Sequence, residues 1–203
     1  MHNTVENKVV RRIQGNGMGW TFSAADLSGL GTRTAIDVAL HRLLQRGTIR
    51  RVLRGLYDYP KYSKKLGREL SPDIHQVARA LARKFGWRIQ VTGSAALNLL
   101  GLSTQVAGRV AYLSDGPDRA YTVAGQELVF EHTGLKDAGF KRRESALLVQ
   151  ALKTLGPSRI TADTIRKLRS FLGDELRAKV LKDTRTATGW IRDAILKVCR
   201  EES

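Results

Sequence analysis

The sequence is poor in the features that mark secreted or membrane-spanning proteins. It contains one cysteine, Cys199, which excludes an intramolecular disulfide and favours a reducing, cytoplasmic location. No apolar run approaches the roughly 18 residues of a transmembrane helix, and residues 1–12 lack the apolar segment of a signal peptide. With four scattered histidines beside the single cysteine, no metal site is expected, and no motif indicates a cofactor.

Acidic side chains are also scarce. The 203 residues include 19 Asp and Glu against 35 Lys and Arg, which gives a net charge of +16 and an isoelectric point near 10.5. The excess lies in residues 1–70 (13 basic, 5 acidic) and 136–203 (16 basic, 9 acidic), whereas 71–135 is almost neutral. Such a protein requires an acidic partner, for which nucleic acid is the first candidate and a membrane surface or an acidic protein the alternative. A hydrophobic fraction of 42% is sufficient for a folded core.

The composition shifts predict two domains, 1–62 and 73–203, joined by a polar, basic linker over 63–72. In the first domain, apolar spacing predicts a short helix over 7–14 and a third helix over 33–45, and Ser23 begins a second helix between them. Gly55 lies in a turn between two short strands, 49–52 and 56–59. This order of helices followed by a hairpin is typical of a winged helix-turn-helix domain.

In that fold the third helix enters the major groove, with its N-terminal residues nearest the bases, and the basic hairpin contacts phosphates or a minor groove. His41 lies farther along the same polar helix face. The predicted partner is therefore double-stranded DNA. The candidate DNA-binding residues are Thr32, Arg33, Thr34, His41, Arg50, Arg51 and Arg54.

The remaining residues predict an α+β domain with a small sheet and a helical C-terminus. Short strands are expected at 88–91, 109–113, 119–123 and 126–131, and helices fill most of the chain after 143. Basic residues flank the apolar stripes of these helices. They favour either solvated helix faces or a partner surface for DNA or RNA, for which the candidates are Arg166, Lys167 and Arg169.

One constellation in this domain is similar to a nucleotidyltransferase site. Gly93 and Ser94 follow a strand, as in the triphosphate loop of such enzymes, and Asp115 and Asp118 follow the next strand. The spacing of the two aspartates, with a Gly-Pro pair between them, is that of a turn rather than of one strand face. We therefore expect no catalytic residues and no enzymatic activity.

Two segments resemble the AbiEi-type antitoxins of type IV toxin–antitoxin systems: residues 47–60 (GTIRRVLRGLYDYP) and 91–102 (VTGSAALNLLGL). The resemblance implies that the winged domain binds inverted repeats in its own promoter and represses the operon. It also implies that the C-terminal domain counters a nucleotidyltransferase-like toxin, without requiring a stable complex with it. Two alternatives stay open: a winged-helix regulator with a ligand- or protein-binding C-terminal domain, and a nucleotidyltransferase-like enzyme.

Overall fold

A computed structural model describes residues 4–104, 108–133, 140 and 142–200. Across these residues the chain combines seven α-helices with three small β-sheets, which confirms the predicted α+β class. The chain packs into two compact units. Unit 1 comprises Met1–Trp87 with Ala120–Leu128, and unit 2 comprises Arg88–Arg119 with Val129–Ser203.

Unit 1 begins with two helices that pack together, α1 (Val5–Asn16) and α2 (Arg33–Gln45). Each begins after a threonine, Thr4 or Thr32, whose hydroxyl accepts a hydrogen bond of 3.3 Å from the backbone N–H three residues later. The bounds predicted for the third helix, 33–45, are confirmed. Apolar residues of both helices form one core with the segments between and after them: Val9, Ile13, Phe22, Leu27, Ile36, Ala39, Leu40, Leu43 and Ile49.

A charged cluster also joins α1 to α2. The carboxylate of Glu6 lies 2.6 Å from Arg46 and 3.4 Å from Arg42. The hydrogen bond from Arg46, with that from Arg42, holds the pKa of Glu6 below its ordinary value. Arg42 in α2 and Arg46 directly after it therefore support the helix packing.

Three short strands of unit 1 form an antiparallel sheet in the order β1-β3-β2: β1 (Thr21–Phe22), β2 (Arg50–Leu53) and β3 (Leu56–Asp58). Gly55 lies in the turn between β2 and β3 with φ +70°. Glycine adopts this left-handed conformation without steric cost, so the turn is as tight as the sequence predicts. The predicted hairpin is confirmed.

The segment predicted as a linker, 63–72, contains structure of its own. The strands β4 (Tyr62–Ser63) and β5 (Arg68–Glu69) pair antiparallel as a second hairpin. Helix α3 (Ile74–Phe85) follows, begins after the capping carboxylate of Asp73 and ends at Gly86 in the left-handed conformation.

The division of the chain differs from the predicted boundary in two places: residues Ala120–Leu128 belong to unit 1, and so does α3. It packs against β1 and against a 3₁₀ turn, Ala24–Leu27. The guanidinium of Arg83 donates to Asp26 at 2.6 Å and to the carbonyl of Thr21 at 2.8 Å. The same Asp26 completes a capping box with Ser23, at which the sequence predicts the start of a helix.

The remaining elements follow the predicted order closely. The strands β6 (Ile89–Val91), β7 (Arg109–Ser114), β8 (Arg119–Val123) and β9 (Gln126–His132) form a sheet in the order β6-β7-β9-β8. The helices are α4 (Gly93–Leu99), α5 (Arg143–Leu155), α6 (Ala162–Asp183) and α7 (Gly189–Cys199). Inside α6, Gly173 has non-helical angles (φ 58°, ψ 168°), so the helix is kinked at this residue.

Within unit 2, α5, α6 and α7 pack around buried leucines and isoleucines, among them Leu148, Leu152, Leu168 and Ile195. Cys199 is half-buried at the end of α7, and burial raises the pKa of its thiol. The predicted helical C-terminal part is confirmed. Among the described residues, no helix has both the length and the apolar character needed to cross a bilayer.

Candidate nucleic-acid interface

Helix α2 presents a continuous polar face on the side opposite the core. Its buried residues are Ile36, Ala39, Leu40 and Leu43. Its exposed residues are Arg33, Thr34, Asp37, Val38, His41, Arg42 and Gln45. Val38 is 44% exposed, and an apolar side chain on such a face is suited to contact a thymine methyl group. The predicted residues Thr34 and His41 both lie on this face, and Val38 is an addition to them.

The side chains of Thr32 and Arg33, two of the predicted DNA-binding residues, both form hydrogen bonds within their own helix. The hydroxyl of Thr32 is engaged as the N-cap of α2. The Nε of Arg33 donates to both carboxylate oxygens of Asp37, at 3.1 and 2.9 Å. Both side chains of this pair are exposed, at 74% and 51%, so solvent screens the attraction between them. The guanidinium of Arg33 can therefore leave Asp37 and donate its hydrogen bonds to a stronger acceptor.

The hairpin of β2 and β3 carries three arginines that were all candidates, and the structure separates them. Arg51 and Arg54 are exposed, and the guanidinium of Arg51 lies 6.0 Å from the ring centre of Tyr57. The backbone carbonyl of Arg54 accepts a hydrogen bond of 3.1 Å from Lys84 on α3. This contact holds the tip of the hairpin in place.

The guanidinium of Arg50 forms hydrogen bonds within unit 1, so we no longer count this residue among the candidate phosphate contacts. Its Nε and one terminal nitrogen donate to the carboxylate of Asp58 at 3.0 and 2.6 Å. The same terminal nitrogen donates to the carbonyl of Leu70 at 3.1 Å. The Asp58 side chain is only 2% exposed, and its hydrogen bond raises the pKa of Arg50. The sequence could not show this, because the partner lies on the neighbouring strand.

The second hairpin is the functional candidate that the linker prediction missed. Its exposed basic residues are Lys61, Lys64, Lys65 and Arg68. A sequence signal existed, because a basic segment with a glycine separates two short polar runs. In the structure Gly67 adopts the left-handed conformation in this turn, at φ +63°. The runs are only two residues each, which is too short for a strand prediction from alternation.

In unit 2 the three residues predicted to form a partner surface lie in two different environments. Arg166 and Lys167 are exposed and lie 3.5 and 3.0 Å from Asp163, one turn earlier on α6. The hydrogen bond from Lys167 lowers the pKa of Asp163. Arg169 instead caps the end of α7, because its guanidinium donates to the carbonyls of Lys197, Val198 and Arg200 at 2.7 to 3.2 Å. Arg169 is therefore withdrawn from the surface set.

Three residues of the segment that is similar to a nucleotidyltransferase site have packing or hydrogen-bonding roles within the chain: Gly93, Asp115 and Asp118. A Cβ on Gly93 would lie 1.6 Å from the hydroxyl of Thr154, so this glycine permits the close approach of α4 to α5. Asp115 accepts from the backbone N–H and the Nε of Arg88, and these hydrogen bonds lower its pKa. Asp118 accepts from the backbone N–H of His132 at 2.5 Å.

The part of the chain that the structure describes holds no cluster of three His, Cys, Asp or Glu residues able to bind a metal ion. In comparisons with known proteins, the model of a family of unknown function, DUF6088, matches residues 8–180. No curated protein matches the chain significantly.

Proposed function

The chain belongs to the DUF6088 family, whose function is unknown, and we propose that it is a DNA-binding transcriptional regulator of the cytoplasm. Unit 1 acts in this proposal as a winged helix-turn-helix domain. One observation carries this proposal. The exposed polar face of α2 and the exposed Arg51 and Arg54 of the following hairpin belong to the same unit. The net charge of +16 supports an anionic partner.

In this proposal α2 lies in the major groove. Thr34, Val38 and His41 are spaced so that they share one helix face, and Arg33 begins it. An exposed ion pair such as that of Arg33 with Asp37 stabilises a helix by about 0.3–0.5 kcal/mol. A bidentate arginine–guanine contact favours the correct base over a wrong one by about 1–3 kcal/mol. Arg33 therefore exchanges Asp37 for the base edge when DNA binds.

The direct test is selection of DNA by the full-length protein from a pool of random duplexes. We expect one sequence to be enriched and to bind more tightly than the unselected pool, with both affinities falling as salt rises. A protein that retains no duplex at low salt would not be a DNA-binding regulator.

Arg33→Ala should weaken binding to the selected duplex by about 1–3 kcal/mol and binding to random duplex much less. The reason is that a base contact contributes only where its base is present. Fluorescence anisotropy with both probes measures the difference. Lys153→Ala is the matched control, because it removes one exposed positive charge from unit 2. Equal losses on both probes would make Arg33 a phosphate contact.

Arg51→Ala and Arg54→Ala should each weaken binding to all sequences alike. Each replacement removes one phosphate contact, so the slope of log affinity against log salt should become shallower by about 0.9. Titrations from low to moderate salt with the selected and the random duplex measure this slope. An unchanged slope in both variants would remove the β2–β3 hairpin from the interface.

The resemblance of residues 47–60 and 91–102 to AbiEi-type antitoxins supports a wider proposal. In it the protein represses its own operon by binding inverted repeats, and unit 2 counters a nucleotidyltransferase-like toxin or shields the RNA on which that toxin acts. The supporting feature in unit 2 is its exposed basic helix surface, which includes Arg166 and Lys167. This is a binding role and not an enzymatic one.

Arg166→Glu combined with Lys167→Glu should reduce rescue of growth when the protein is co-expressed with a nucleotidyltransferase-like toxin encoded beside its gene. The reversal makes this surface repel an acidic substrate. Lys153→Glu combined with Arg192→Glu is the control, since it changes the charge of unit 2 equally at other exposed positions. Thermal melting and DNA affinity should stay unchanged in both variants. Full rescue of growth by the Arg166/Lys167 variant would show that this surface has no part in countering the toxin.

A further inference from the structure

The second hairpin of unit 1, residues 61–70, is an exposed and strongly basic projection. We call it the basic hairpin. Its four cations are exposed, and its one acidic residue, Glu69, lies 3.7 Å from Arg50 at the base of the hairpin. The tip, residues 64–68, therefore carries three positive charges and no negative one.

Hydrogen bonds within the chain hold the basic hairpin at both of its ends. The N–H of Leu70 donates to the carbonyl of Lys61 at 2.8 Å and closes its open end. At the tip, the N–H of Leu66 donates to the carbonyl and to the hydroxyl of Ser63, at 3.2 and 3.3 Å. A two-stranded hairpin is marginal alone, so these contacts and its anchorage to the rest of unit 1 reduce the entropy lost on binding.

Arg50 provides that anchorage. It holds Asp58 on β3 and the carbonyl of Leu70 at the end of the basic hairpin at the same time. The next residue along β2 is Arg51, a proposed phosphate contact. One guanidinium thus couples the position of the basic hairpin to the strand that approaches the DNA backbone.

Two apolar side chains of the basic hairpin remain in solvent. Leu66, at the tip, is 56% exposed, and Tyr62 is 55% exposed. An exposed apolar residue between cations matches a surface that is anionic and also offers apolar walls. The DNA minor groove has this character, since its walls are sugars and its potential is strongly negative where it is narrow.

We propose that the basic hairpin is a second DNA contact, which enters the minor groove beside the site bound by α2. Lys65 and Arg68 lie in the groove, and Leu66 packs against its sugar walls. A narrow, A·T-rich groove is the preferred sequence context. This inference rests on the proposed DNA-binding function, and it adds a contact region that lengthens the bound site.

Hydroxyl-radical footprinting of the full-length protein on a long selected duplex tests the contact, because the radical attacks sugars through the minor groove. The wild-type protein should protect a minor-groove patch outside the central site. Lys65→Ala combined with Arg68→Ala should lose that patch, keep the central protection, and make the salt slope shallower by about 2. Lys153→Ala combined with Arg192→Ala, a control in unit 2, should change neither.

The outcomes separate the two proposals. A wild-type protein that binds no duplex overturns both of them. Central protection without a flanking patch, or a patch that survives the Lys65/Arg68 double variant, overturns the basic-hairpin contact alone. Binding to vesicles containing phosphatidylserine that the double variant loses, with an unchanged DNA footprint, assigns the basic hairpin to a lipid surface instead. Leu66→Ala should reduce the protection of the flanking patch without changing the salt slope.

Discussion

Arg50→Ala should lower the free energy of unfolding by about 2–3 kcal/mol. The replacement leaves the carboxylate of Asp58, 2% exposed, without the two hydrogen bonds that it accepts from the guanidinium. Removing one partner of a buried ion pair costs about 3–5 kcal/mol, and the 32% exposure of Arg50 places this pair at or below the lower end. Urea denaturation of the full-length protein measures the loss.

Arg51→Ala is the matched control, since it removes the same side chain from the next position of β2, where it is exposed. It should change the free energy of unfolding by less than about 0.5 kcal/mol while weakening DNA binding. Arg50→Lys keeps the charge but loses the two-pronged geometry, and it should restore only part of the stability. A stable Arg50→Ala protein with a shallower salt slope would return Arg50 to the set of phosphate contacts.

Gly93→Ala should destabilise unit 2 by about 2–3 kcal/mol. The added Cβ would lie 1.6 Å from the hydroxyl oxygen of Thr154 and 3.3 Å from the backbone carbonyl oxygen of Gln150. Side chains and backbone must move to relieve this overlap, and overpacking of a closely packed site typically costs about 1–3 kcal/mol. Thermal melting and urea denaturation both report the effect.

A second substitution distinguishes packing from triphosphate binding at Gly93. Thr154→Ala removes the nearest atom, so the double variant should recover part of the lost stability, with a coupling energy of about 1 kcal/mol. Ser94→Ala changes the exposed neighbour and should have little effect. Independent effects of Gly93→Ala and Thr154→Ala, together with binding of a nucleoside triphosphate that Gly93→Ala abolishes, would favour the enzyme alternative.

Local sequence patterns were sufficient for much of the secondary structure. The spacing of Ile36, Leu40 and Leu43 predicts α2 with its observed bounds, because a helix face repeats every 3.6 residues whatever surrounds it. Gly55 predicts the β2–β3 turn, because a left-handed residue is needed there. The exposed part of the candidate interface, Thr34 with Arg51, follows from the same local rules.

The partners of individual side chains could not be predicted in this way. Arg50, Arg51 and Arg54 are equivalent in the sequence, yet only Arg50 meets a buried carboxylate, because strand pairing places Asp58 opposite it. Arg169 resembles Arg166 until the folding of α7 against α6 brings carbonyl oxygens to it. Such contacts join positions that are distant in sequence, and no local pattern encodes them.

The sequence by itself determined the charge, most of the helices, the longer strands and the α+β class, since these depend on composition and on spacings within a few residues. The tertiary structure decided which cations stay in solvent, that the predicted linker is a hairpin, and that α3 packs in unit 1 through Arg83 and Asp26. The physical reason is that a cation is held by its own chain when folding brings acceptors to it from other elements, as it does for Arg50 and Arg169.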